Sequence, residues 1–406
     1  MVDFSLSEEH ELLRDSVRDF VEREVAPIVS EYDKQQKSLY KKIMPKMGEL
    51  GILGVCFPEK YGGSGLDYFA LAIVCEELER IETAIRVIMS VHTALNSCTI
   101  YQWGSPEQKE KYFIPQAQGK KIGGFGLTEP GCGSDVSALQ TRAIREGDDF
   151  ILSGTKTWIS LAETADNFLI FARLGKEKGY KNIAAFIVER NFSGVSTSSI
   201  HDKLGVRTGD TGEVVLQDVR VPAENLLGEE HGEGFKIAMS ALDSGRFTVA
   251  AGACGLIRAC IEASVKYCHE RKAFGQEIGR FELIQEHLAE MQRSYDTSQL
   301  LVYKAAWLKN RGIRNTRETA MAKWHATSCA SDAADRAIQI HGAYGYSADF
   351  PVERYWRNTR ANTILEGTNE IQKLIQGSYM LGYRKIAKLR REMPPYNRED
   401  WSPLSE

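Results

Sequence analysis

The sequence predicts a mainly α-helical protein with a β domain in the middle of the chain. Three observations lead to this fold class: apolar residues recur at helical spacing up to about residue 120, short β-type runs follow from Gly123 to about residue 230, and helical patterning returns after Gly232. The chain has 406 residues, more than one ordinary compact core holds, which favours two or three domains.

The first part of the chain is predicted to form an N-terminal helical domain over residues 1–121. Val17 and Val21 recur at helical spacing after the pattern Ser5-x-x-Glu8, which is typical of a capping box. Glycine and proline signals separate the helical runs that follow. These runs are predicted over residues 39–51, 68–81, 84–101 and 106–117.

The middle of the chain is predicted to form a β domain over residues 122–232. Short runs rich in Val, Ile and Phe are bounded here by turn residues, with no helical pattern between them. Such spacing is typical of an antiparallel barrel or sandwich. The strands are predicted over residues 141–145, 150–152, 168–172, 183–188 and 213–216.

The last part of the chain is predicted to form a four-helix bundle over residues 233–392. Residues 393–406 contain three prolines and are predicted to be an extended tail. The four long helical stretches are predicted over residues 234–270, 280–311, 315–343 and 367–390.

Composition and spacing argue against several classes of protein. The net charge of -4 gives no support for binding nucleic acid or an anionic membrane surface, and no run of about 18 apolar residues could span a membrane. The cysteines include no Cys-x-x-Cys pair and the histidines show no ligand spacing, so neither a disulfide framework nor a metal site is expected. The N-terminus has no basic stretch followed by an apolar one, which predicts a cytoplasmic protein.

A glycine-rich segment opens the β region and could approach a cofactor. Its glycines let the backbone come close to a flat ring or a pyrophosphate, and Thr128 and Ser134 offer hydrogen bonds. An ordinary linker has the same composition, and the segment does not fit the Gly-x-Gly-x-x-Gly pattern of a Rossmann unit. The segment reads Phe125-Gly126-Leu127-Thr128-Glu129-Pro130-Gly131-Cys132-Gly133-Ser134-Asp135.

Two further motifs could contact a cofactor, and each also has an ordinary structural explanation. Trp158-Ile159-Ser160 ends a strand with an aromatic ring and a hydroxyl, although tryptophan is usually a core or interface residue. The basic run that begins at His269 and includes Arg271 stands where a helix should end. A guanidinium there could hold a phosphate, but basic residues also favour helix C-termini for dipole reasons.

A candidate general base stands near the end of the chain, after the run from Gln339 to Tyr346. It is Glu366 in Leu365-Glu366-Gly367-Thr368. A carboxylate beside apolar groups has its pKa raised by desolvation, which suits a general base. A single glutamate beside glycine is more often a solvated loop residue.

In their order and spacing, these segments together resemble the acyl-CoA dehydrogenase family over roughly residues 3–390. The resemblance is nearest in character to the branch that contains glutaryl-CoA and benzylsuccinyl-CoA dehydrogenases. It implies the same three-part fold that the patterns predict. The segments that carry it are residues 127–135, 156–160, 242–246, 271–275, the run from Gln339, and 366–372.

The resemblance also implies an FAD cofactor and the residues around it. Such binding reaches across subunits, which implies a homo-oligomer, usually a tetramer in this family. The residues implied on one side of FAD are Phe125, Leu127, Thr128, Gly133, Ser134, Trp158 and Ser160, with Thr368 and Glu370 after the base. Those implied to reach the FAD of a neighbouring subunit are Arg271, Phe274, Gln339, Gly342 and Ala343.

The reaction implied by the resemblance is α,β-desaturation of an acyl-CoA thioester. Glu366 would remove the α-proton while a β-hydride passes to the flavin, and the electrons would then pass to an electron-transfer flavoprotein. The residues implied to line the thioester site are Ser134, Asp243, Arg246, Leu365 and Gly367.

Arg86 bears on which acyl group is bound, because it lies in a mostly apolar helical run. The segment resembles glutaryl-CoA dehydrogenases, whose arginine at the matching place binds the distal carboxylate of the substrate. The alternatives are that Arg86 reaches the surface or pairs with Glu82. Leu365 stands where decarboxylating glutaryl enzymes have tyrosine, which suggests desaturation without loss of CO2.

The expected substrate is therefore a carboxylate-bearing acyl-CoA. An aryl-substituted succinyl-CoA such as benzylsuccinyl-CoA, from anaerobic aromatic degradation, is preferred. The alternatives are glutaryl-CoA without decarboxylation and a short or branched-chain acyl-CoA. A flavin oxidase or monooxygenase on the same scaffold and a helical interaction protein without cofactor are the rival classes.

Overall fold

A computed structural model of the chain describes residues 5–175, 179–228 and 232–384. The predicted fold class is confirmed: the chain is mainly helical, with a β sheet between two helical parts. The predicted tail over residues 393–406, and residues 385–390 of the fourth predicted helical stretch, lie outside the described residues.

The N-terminal helices follow the predicted runs. Ser7, rather than the predicted Ser5, caps the first helix by accepting a hydrogen bond from the backbone N–H of His10. The run predicted over residues 84–101 changes to a π-helix at Met89–Ser97, a rare form that often occurs near functional sites. The helices are α1 (Glu8–Glu24), α2 (Val29–Lys34), α3 (Tyr40–Glu49), α4 (Tyr68–Ile81), α5 (Thr83–Ile88), α6 (Cys98–Trp103), α7 (Pro106–Gln108) and α8 (Ile114–Ala117), with a second π-helix at Lys109–Phe113.

The middle of the chain forms one eight-stranded sheet. Its strands are β1 (Gly123–Gly126), β2 (Arg142–Glu146), β3 (Asp149–Ser160), β4 (Asn167–Leu174), β5 (Ile183–Glu189), β6 (Val195–Ser199), β7 (Thr211–Pro222) and β8 (Leu226–Leu227). The order is β6-β7-β3-β2-β4-β5-β8, with β1 beside β4. Most pairs are antiparallel, but β1 and β2 each run parallel to β4, so the wholly antiparallel prediction is wrong. β2 thus runs antiparallel to β3 on one edge and parallel to β4 on the other.

Strand β3 is much longer than the predicted run over residues 150–152. It pairs with β2 on one edge and β7 on the other, with register shifts after Leu152 and after Lys156. Polar residues and Gly154 conceal the strand in the sequence. Trp158, which lies within the second shift, has a positive φ of 59° and is 60% exposed. Such bulges re-aim side chains.

The C-terminal part packs around one long central helix. Its elements are α9 (Gly234–Glu270), the short strands β9 (Lys272–Ala273) and β10 (Gln276–Glu277), then α10 (Glu282–Asn310), α11 (Thr316–His341), α12 (Val352–Asn362) and α13 (Asn369–Met380). Helix α9 packs against α11, α10 and α4. Helix α12 was not predicted, because its buried face carries the polar residues Arg354, Asn358 and Asn362 instead of an apolar stripe.

In the part of the chain that the structure describes, one helix is long and apolar enough to cross a membrane by length and composition alone. It is α9, and 72% of its most apolar window is buried inside the protein. A buried core helix passes the same test, so α9 is weak support for a membrane span.

Candidate active site

The turn between α12 and α13, residues 363–368, carries the predicted base and is called the base turn below. Glu366 has a φ of 54°, and Gly367 after it has a φ of 93°. Glycine adopts this left-handed backbone freely, whereas in glutamate it is strained. Strain of this kind persists only where the surroundings hold it, and it is found most often at functional sites.

Three side chains hold the backbone carbonyls of the base turn. Arg246 Nε donates to the Glu366 carbonyl at 3.2 Å. The Gly367 carbonyl accepts hydrogen bonds from Lys323 Nζ at 3.0 Å and from Gln372 Nε2 at 2.8 Å. These donors come from α9, α11 and α13, so three helices fix the orientation of Glu366.

The Glu366 carboxylate lies against α9 at Gly245. A Cβ atom at position 245 would overlap Glu366 Oε2, so glycine is needed there to leave room for the carboxylate. Although Glu366 retains some exposure as a residue, its Oε2 is shielded from solvent and has no hydrogen-bond partner among the described residues. A buried acceptor without a partner is costly and needs an explanation such as a ligand.

The charge balance around Glu366 favours proton exchange near neutral pH. Burial raises the pKa of Glu366 to about 7 from its ordinary 4.5, because burial removes the water that stabilises the anion. The positive charges of Arg86, Lys323 and Arg246 oppose that rise. A carboxyl group with this pKa can accept a proton and release it again, as a general base must.

Arg86 is fully buried, and all three of its guanidinium nitrogens are bonded. Nε pairs with Glu79 Oε2 at 2.5 Å, Nη1 donates to Ser90 Oγ at 2.9 Å, and Nη2 donates to Asn362 Oδ1 at 2.7 Å. Burial would lower the pKa of Arg86, but the Glu79 carboxylate outweighs it and the pKa is raised. Both predicted alternatives for Arg86 are wrong: it does not reach the surface, and it pairs with Glu79 instead of Glu82.

Glu82 belongs to a separate network. It accepts hydrogen bonds from Thr208 at 3.0 Å and Asn358 at 3.2 Å, and it pairs with Arg354 at 3.2 Å. Glu79 lies instead against α9, where a Cβ atom at Gly252 would overlap its carboxylate. Glycine at position 252 therefore leaves room for the Glu79 carboxylate that pairs with Arg86.

Hydroxyl groups connect the Arg86 network to the base. Ser90 Oγ lies 2.7 Å from Thr248 Oγ1, and Thr248 donates to the Gly245 carbonyl at 2.7 Å, beside the Glu366 carboxylate. The structure therefore brings Arg86 and Glu366 into one site, although they are far apart in sequence.

Four other predicted residues of the thioester site lie beside Glu366 or its contacts. Asp243 and Arg246 lie one turn apart on α9 and pair at 3.0 Å. Leu365 and Gly367 flank Glu366 in the base turn and are half-buried. Ser134 is exposed in the loop after β1.

The predicted cofactor loop after β1 is anchored by a buried ion pair. Glu129 pairs with Lys156 at 2.7 Å. The Thr128 carbonyl accepts a hydrogen bond from the Thr157 N–H at 3.0 Å. Phe125 lies in β1 and is buried, as is Leu127 just after it.

Beyond this anchor the loop is open. Gly133 is exposed, and a Cβ atom there would meet no atom within 4 Å. The exposed ring of Trp158 and the half-buried Ser160 lie at the end of β3, in the same sheet. We call Leu127, Thr128, Gly133, Ser134, Trp158 and Ser160 the sheet surface.

A second group of predicted residues lies at the ends of α9 and α11. Arg271, just after α9, lies over the Tyr344 ring at 5.9 Å. Phe274 has a φ of 51° and is 95% exposed. We call this group the bundle surface: Arg271, Phe274 and the exposed residues Gln339, Gly342 and Ala343. Thr368 caps α13, and Glu370 is exposed in its first turn.

The residues of the site that were not predicted from the sequence include Glu79, Gly245, Lys323 and Gln372. A lysine within the alanine-rich run of α11 and glycines within α9 are weak signals of a close contact, since both are unusual on a buried helix face. Neither signal names the residue that is contacted.

Three family models together match most of the chain. The N-terminal domain of acyl-CoA dehydrogenase matches residues 7–120, the middle domain matches residues 124–219, and the C-terminal domain matches residues 232–381.

Curated relatives match over almost their whole length. A short-chain specific acyl-CoA dehydrogenase of Clostridium acetobutylicum is 42% identical over 374 residues, which cover 92% of this chain and 98% of the relative. A glutaryl-CoA dehydrogenase of Desulfococcus multivorans is 40% identical, covering 95% of this chain and 99% of the relative.

Solved structures that are 30–42% identical share the fold. A glutaryl-coenzyme A dehydrogenase in complex with glutaryl-CoA has a TM-score of 0.92 and 40% identity, covering 96% of this chain and 99% of that chain. A chain from a structure of the electron transferring flavoprotein of Acidaminococcus fermentans has a TM-score of 0.91 and 42% identity, covering 94% and 100%. A glutaryl-CoA dehydrogenase of Mycobacterium smegmatis in complex with FADH2 has a TM-score of 0.87 and 30% identity, covering 94% and 96%.

Proposed function

Because the chain belongs to the acyl-CoA dehydrogenase family, whose members are oxidoreductases acting on CH–CH bonds, we propose that Glu366 is the base that removes the α-proton of the thioester. The observation that carries this proposal is the buried Glu366 Oε2, which has no partner among the described residues and stands beside Gly245, which leaves it room. A proton acceptor placed in this way can remove a proton from a substrate bound beside it.

FAD fits the residues present. The sheet surface offers an exposed tryptophan ring and an open glycine, and the bundle surface offers an exposed phenylalanine and a guanidinium. Rings suit a flat cofactor, and a guanidinium suits its phosphates. When bound, FAD supplies the acceptor for the hydride that leaves the β-carbon.

The chain's own residues would orient the base and move the proton. Arg246, Lys323 and Gln372 fix the base turn, so Glu366 does not have to reorganise when the substrate binds. The α-proton would pass to the Glu366 carboxylate, whose raised pKa of about 7 makes it a stronger base than an exposed glutamate. Burial of the site excludes water that would weaken these interactions.

The proposed partners follow from the exposed surfaces and the relatives. A second copy of this chain would cover the bundle surface, where Phe274 is 95% exposed, and a homotetramer is the arrangement we infer. The similar chain from an electron transferring flavoprotein structure supports such a flavoprotein as the electron acceptor. A cytoplasmic location is inferred from the sequence alone.

For the substrate, we infer an acyl-CoA that carries a second carboxylate, of the benzylsuccinyl-CoA type, without decarboxylation. Arg86 is a buried cation, and hydrogen bonds through the Ser90 and Thr248 hydroxyls connect it to the Gly245 carbonyl beside the Glu366 carboxylate. A guanidinium has five N–H groups, and its three described bonds leave others for a substrate carboxylate. Leu365 stands where decarboxylating glutaryl enzymes have tyrosine, and the absence of the phenol supports a bulkier acyl group and no decarboxylation.

Two other substrate classes compete with this one. The Desulfococcus multivorans relative supports glutaryl-CoA, and the Clostridium acetobutylicum relative supports short-chain acyl-CoA. The Glu79 carboxylate already balances the charge of Arg86, which is the observation that favours an uncharged short or branched chain.

An acyl-CoA panel would separate these classes. Glutaryl-, benzylsuccinyl-, butyryl- and isovaleryl-CoA would be assayed with an artificial electron acceptor. We expect the highest kcat/KM for benzylsuccinyl-CoA, and a preference for the plain chains would overturn the carboxylate proposal. The product from glutaryl-CoA would be tested for released CO2. Slow reoxidation by O2 with product bound would exclude the oxidase class.

A variant would test Arg86 directly. Removing Arg86 alone leaves Glu79 as an uncompensated buried charge, so the test replaces both residues by methionine, a change that is often neutral for stability. We expect kcat/KM for carboxylate-bearing substrates to fall about 100-fold, the value of one lost charge-assisted contact, with butyryl-CoA turnover retained. The control replaces the half-buried Arg258 and its partner Glu76 by methionine in the same way, since Glu77, the other partner of Arg258, keeps Arg18 and Arg80.

A further inference from the structure

Lys323 is a buried lysine whose ammonium group ends inside the base turn. It lies on α11 with no exposed side-chain surface, and Nζ donates to the Gly367 carbonyl at 3.0 Å and to Asn369 Oδ1 at 3.0 Å. Thr327 donates to the same Asn369 oxygen at 3.0 Å, so the amide is fixed in turn. One ammonium therefore joins the residue after Glu366 to the first residue of α13.

The bonded partners of Lys323 are neutral. Within the described residues, no carboxylate oxygen lies within 4.0 Å of its Nζ. Burying an ammonium group without a direct counterion costs free energy. A carboxylate beyond hydrogen-bond distance can reduce that cost. The carboxylate with the largest effect on Lys323 is Glu366.

The groups around this pair come from several elements. Helices α4 and α5 contribute the balanced pair of Glu79 with Arg86, and α9 contributes the balanced pair of Asp243 with Arg246. Glu370 of α13 is exposed, where water screens its charge. The charged and titratable side chains that face Glu366 and Lys323 are Cys75, Glu79, Arg86, Asp243, Arg246 and Glu370.

We propose that Lys323 is a positioning residue for the base: its hydrogen bond to the Gly367 carbonyl holds the base turn, and its positive charge favours the carboxylate form of Glu366. The inference rests on the proposed role of Glu366. The ionisation of the two residues is coupled, because the free-energy cost of burying each charge falls when the other residue is charged.

The titration of Lys323 agrees with this pairing. Burial lowers the pKa of Lys323 to about 7, against the opposing effect of the Glu366 carboxylate. The charged lysine in turn opposes the rise in the pKa of Glu366. Loss of the Lys323 charge would therefore raise the pKa of Glu366 further, and the base would be protonated over a wider range of pH.

The test compares three variants of the FAD-loaded enzyme. Lys323→Gln keeps an amide donor and loses the charge, Lys323→Met loses both, and Lys323→Arg keeps the charge. For the first two, we expect the acidic limb of the kcat/KM profile to move up by about one pH unit, with kcat/KM lower by about fivefold at pH 7 and by about tenfold on the acidic side of the limb. Lys323→Arg should restore the limb, and only Lys323→Met should also lower the melting temperature clearly.

Infrared spectroscopy gives a readout independent of turnover. The C=O band of protonated Glu366 is identified as the carboxylic-acid band absent from Glu366→Gln, and in Lys323→Gln it should persist to higher pH than in the wild type. Lys309→Met is the matched control, since Lys309 is another buried bundle lysine, packed over the Tyr68 and Phe247 rings. It should leave both the limb and the band unmoved.

The outcomes separate this inference from the proposed function. If Lys323→Gln and Lys323→Met lower activity equally at all pH values, with limb and band unmoved, Lys323 has only a structural role and the inference is overturned. If Glu366→Gln itself retains activity, the assignment of the base fails first, whatever Lys323 does.

Discussion

The base turn and the two cofactor surfaces are built in opposite ways. In the base turn, the chain's own side chains bond the backbone carbonyls of Glu366 and Gly367, and the carboxylate is enclosed by α9. On the sheet and bundle surfaces, large rings stand in solvent: Trp158 is 60% exposed and Phe274 is 95% exposed. Rings of this size gain considerable free energy when they are buried.

This difference shows which part of the site a single chain can form by itself and which part needs a cofactor or a second copy. The base turn is held before any ligand binds, so its geometry is a property of the folded chain. The cofactor surfaces need FAD and, we infer, a second copy to cover them. Changes in the base turn should therefore alter chemistry while FAD is retained, and changes on the surfaces should alter FAD retention and assembly.

Glu366→Gln should have the largest effect. The amide has the shape of the carboxylate but cannot accept the α-proton, so turnover should fall by about 10³- to 10⁴-fold, as expected for loss of a general base. FAD content and acyl-CoA binding should stay close to wild type, measured by absorbance and by titration with a substrate analogue. Turnover above a tenth of the wild-type value would rule out Glu366 as the base.

Gly245→Ala should have the next largest effect, since the added Cβ would overlap Glu366 Oε2. A base moved by about 1 Å can cost roughly 100-fold in rate, so we expect kcat to fall by that order while FAD is retained. Gly377→Ala in α13 is the matched control, because a Cβ there meets no atom within 4 Å and helix propensity favours alanine. Equal kcat values for the two variants would contradict an enclosed carboxylate.

The sequence predicts most of the fold because most elements carry an apolar pattern. It fails where buried faces are polar. Helix α12 was missed because its inner face consists of residues such as Arg354 and Asn358, whose partners come from distant parts of the chain. Strand β3 was cut short because Gly154 and polar neighbours interrupt its alternation, although both of its edges are paired.

The site could be predicted only where its residues lie in recognisable sequence motifs. Glu366 and Arg86 could be selected from their neighbours in the sequence, but Glu79 as the partner of Arg86 could not. Glu79 and Glu82 are both within one or two helical turns of Arg86, and a break between α4 and α5 decides which one faces it. Lys323 is a still harder case, because its partners are backbone and amide oxygens that leave no charge pattern in the sequence.

Phe274→Ser tests the other side of the comparison and should have the smallest effect on the chain itself. The ring is 95% exposed, so its loss should leave the unfolding transition of the apoprotein almost unchanged. Full burial of a phenylalanine contributes roughly 1.5–3 kcal/mol, so FAD retention should weaken by about tenfold or more if cofactor and a second copy cover the ring.

The measurements for Phe274→Ser are the ratio of FAD to protein after dilution and the sedimentation of the complex. Leu12→Ser, which removes a 63% exposed apolar side chain from α1, is the control and should change neither. A variant at position 274 with unchanged FAD ratio and assembly would place the ring outside the cofactor surfaces. If Phe274→Ser lost turnover but kept FAD, the bundle surface would affect the chemistry at Glu366. The base turn and the cofactor surfaces would then not be functionally separate.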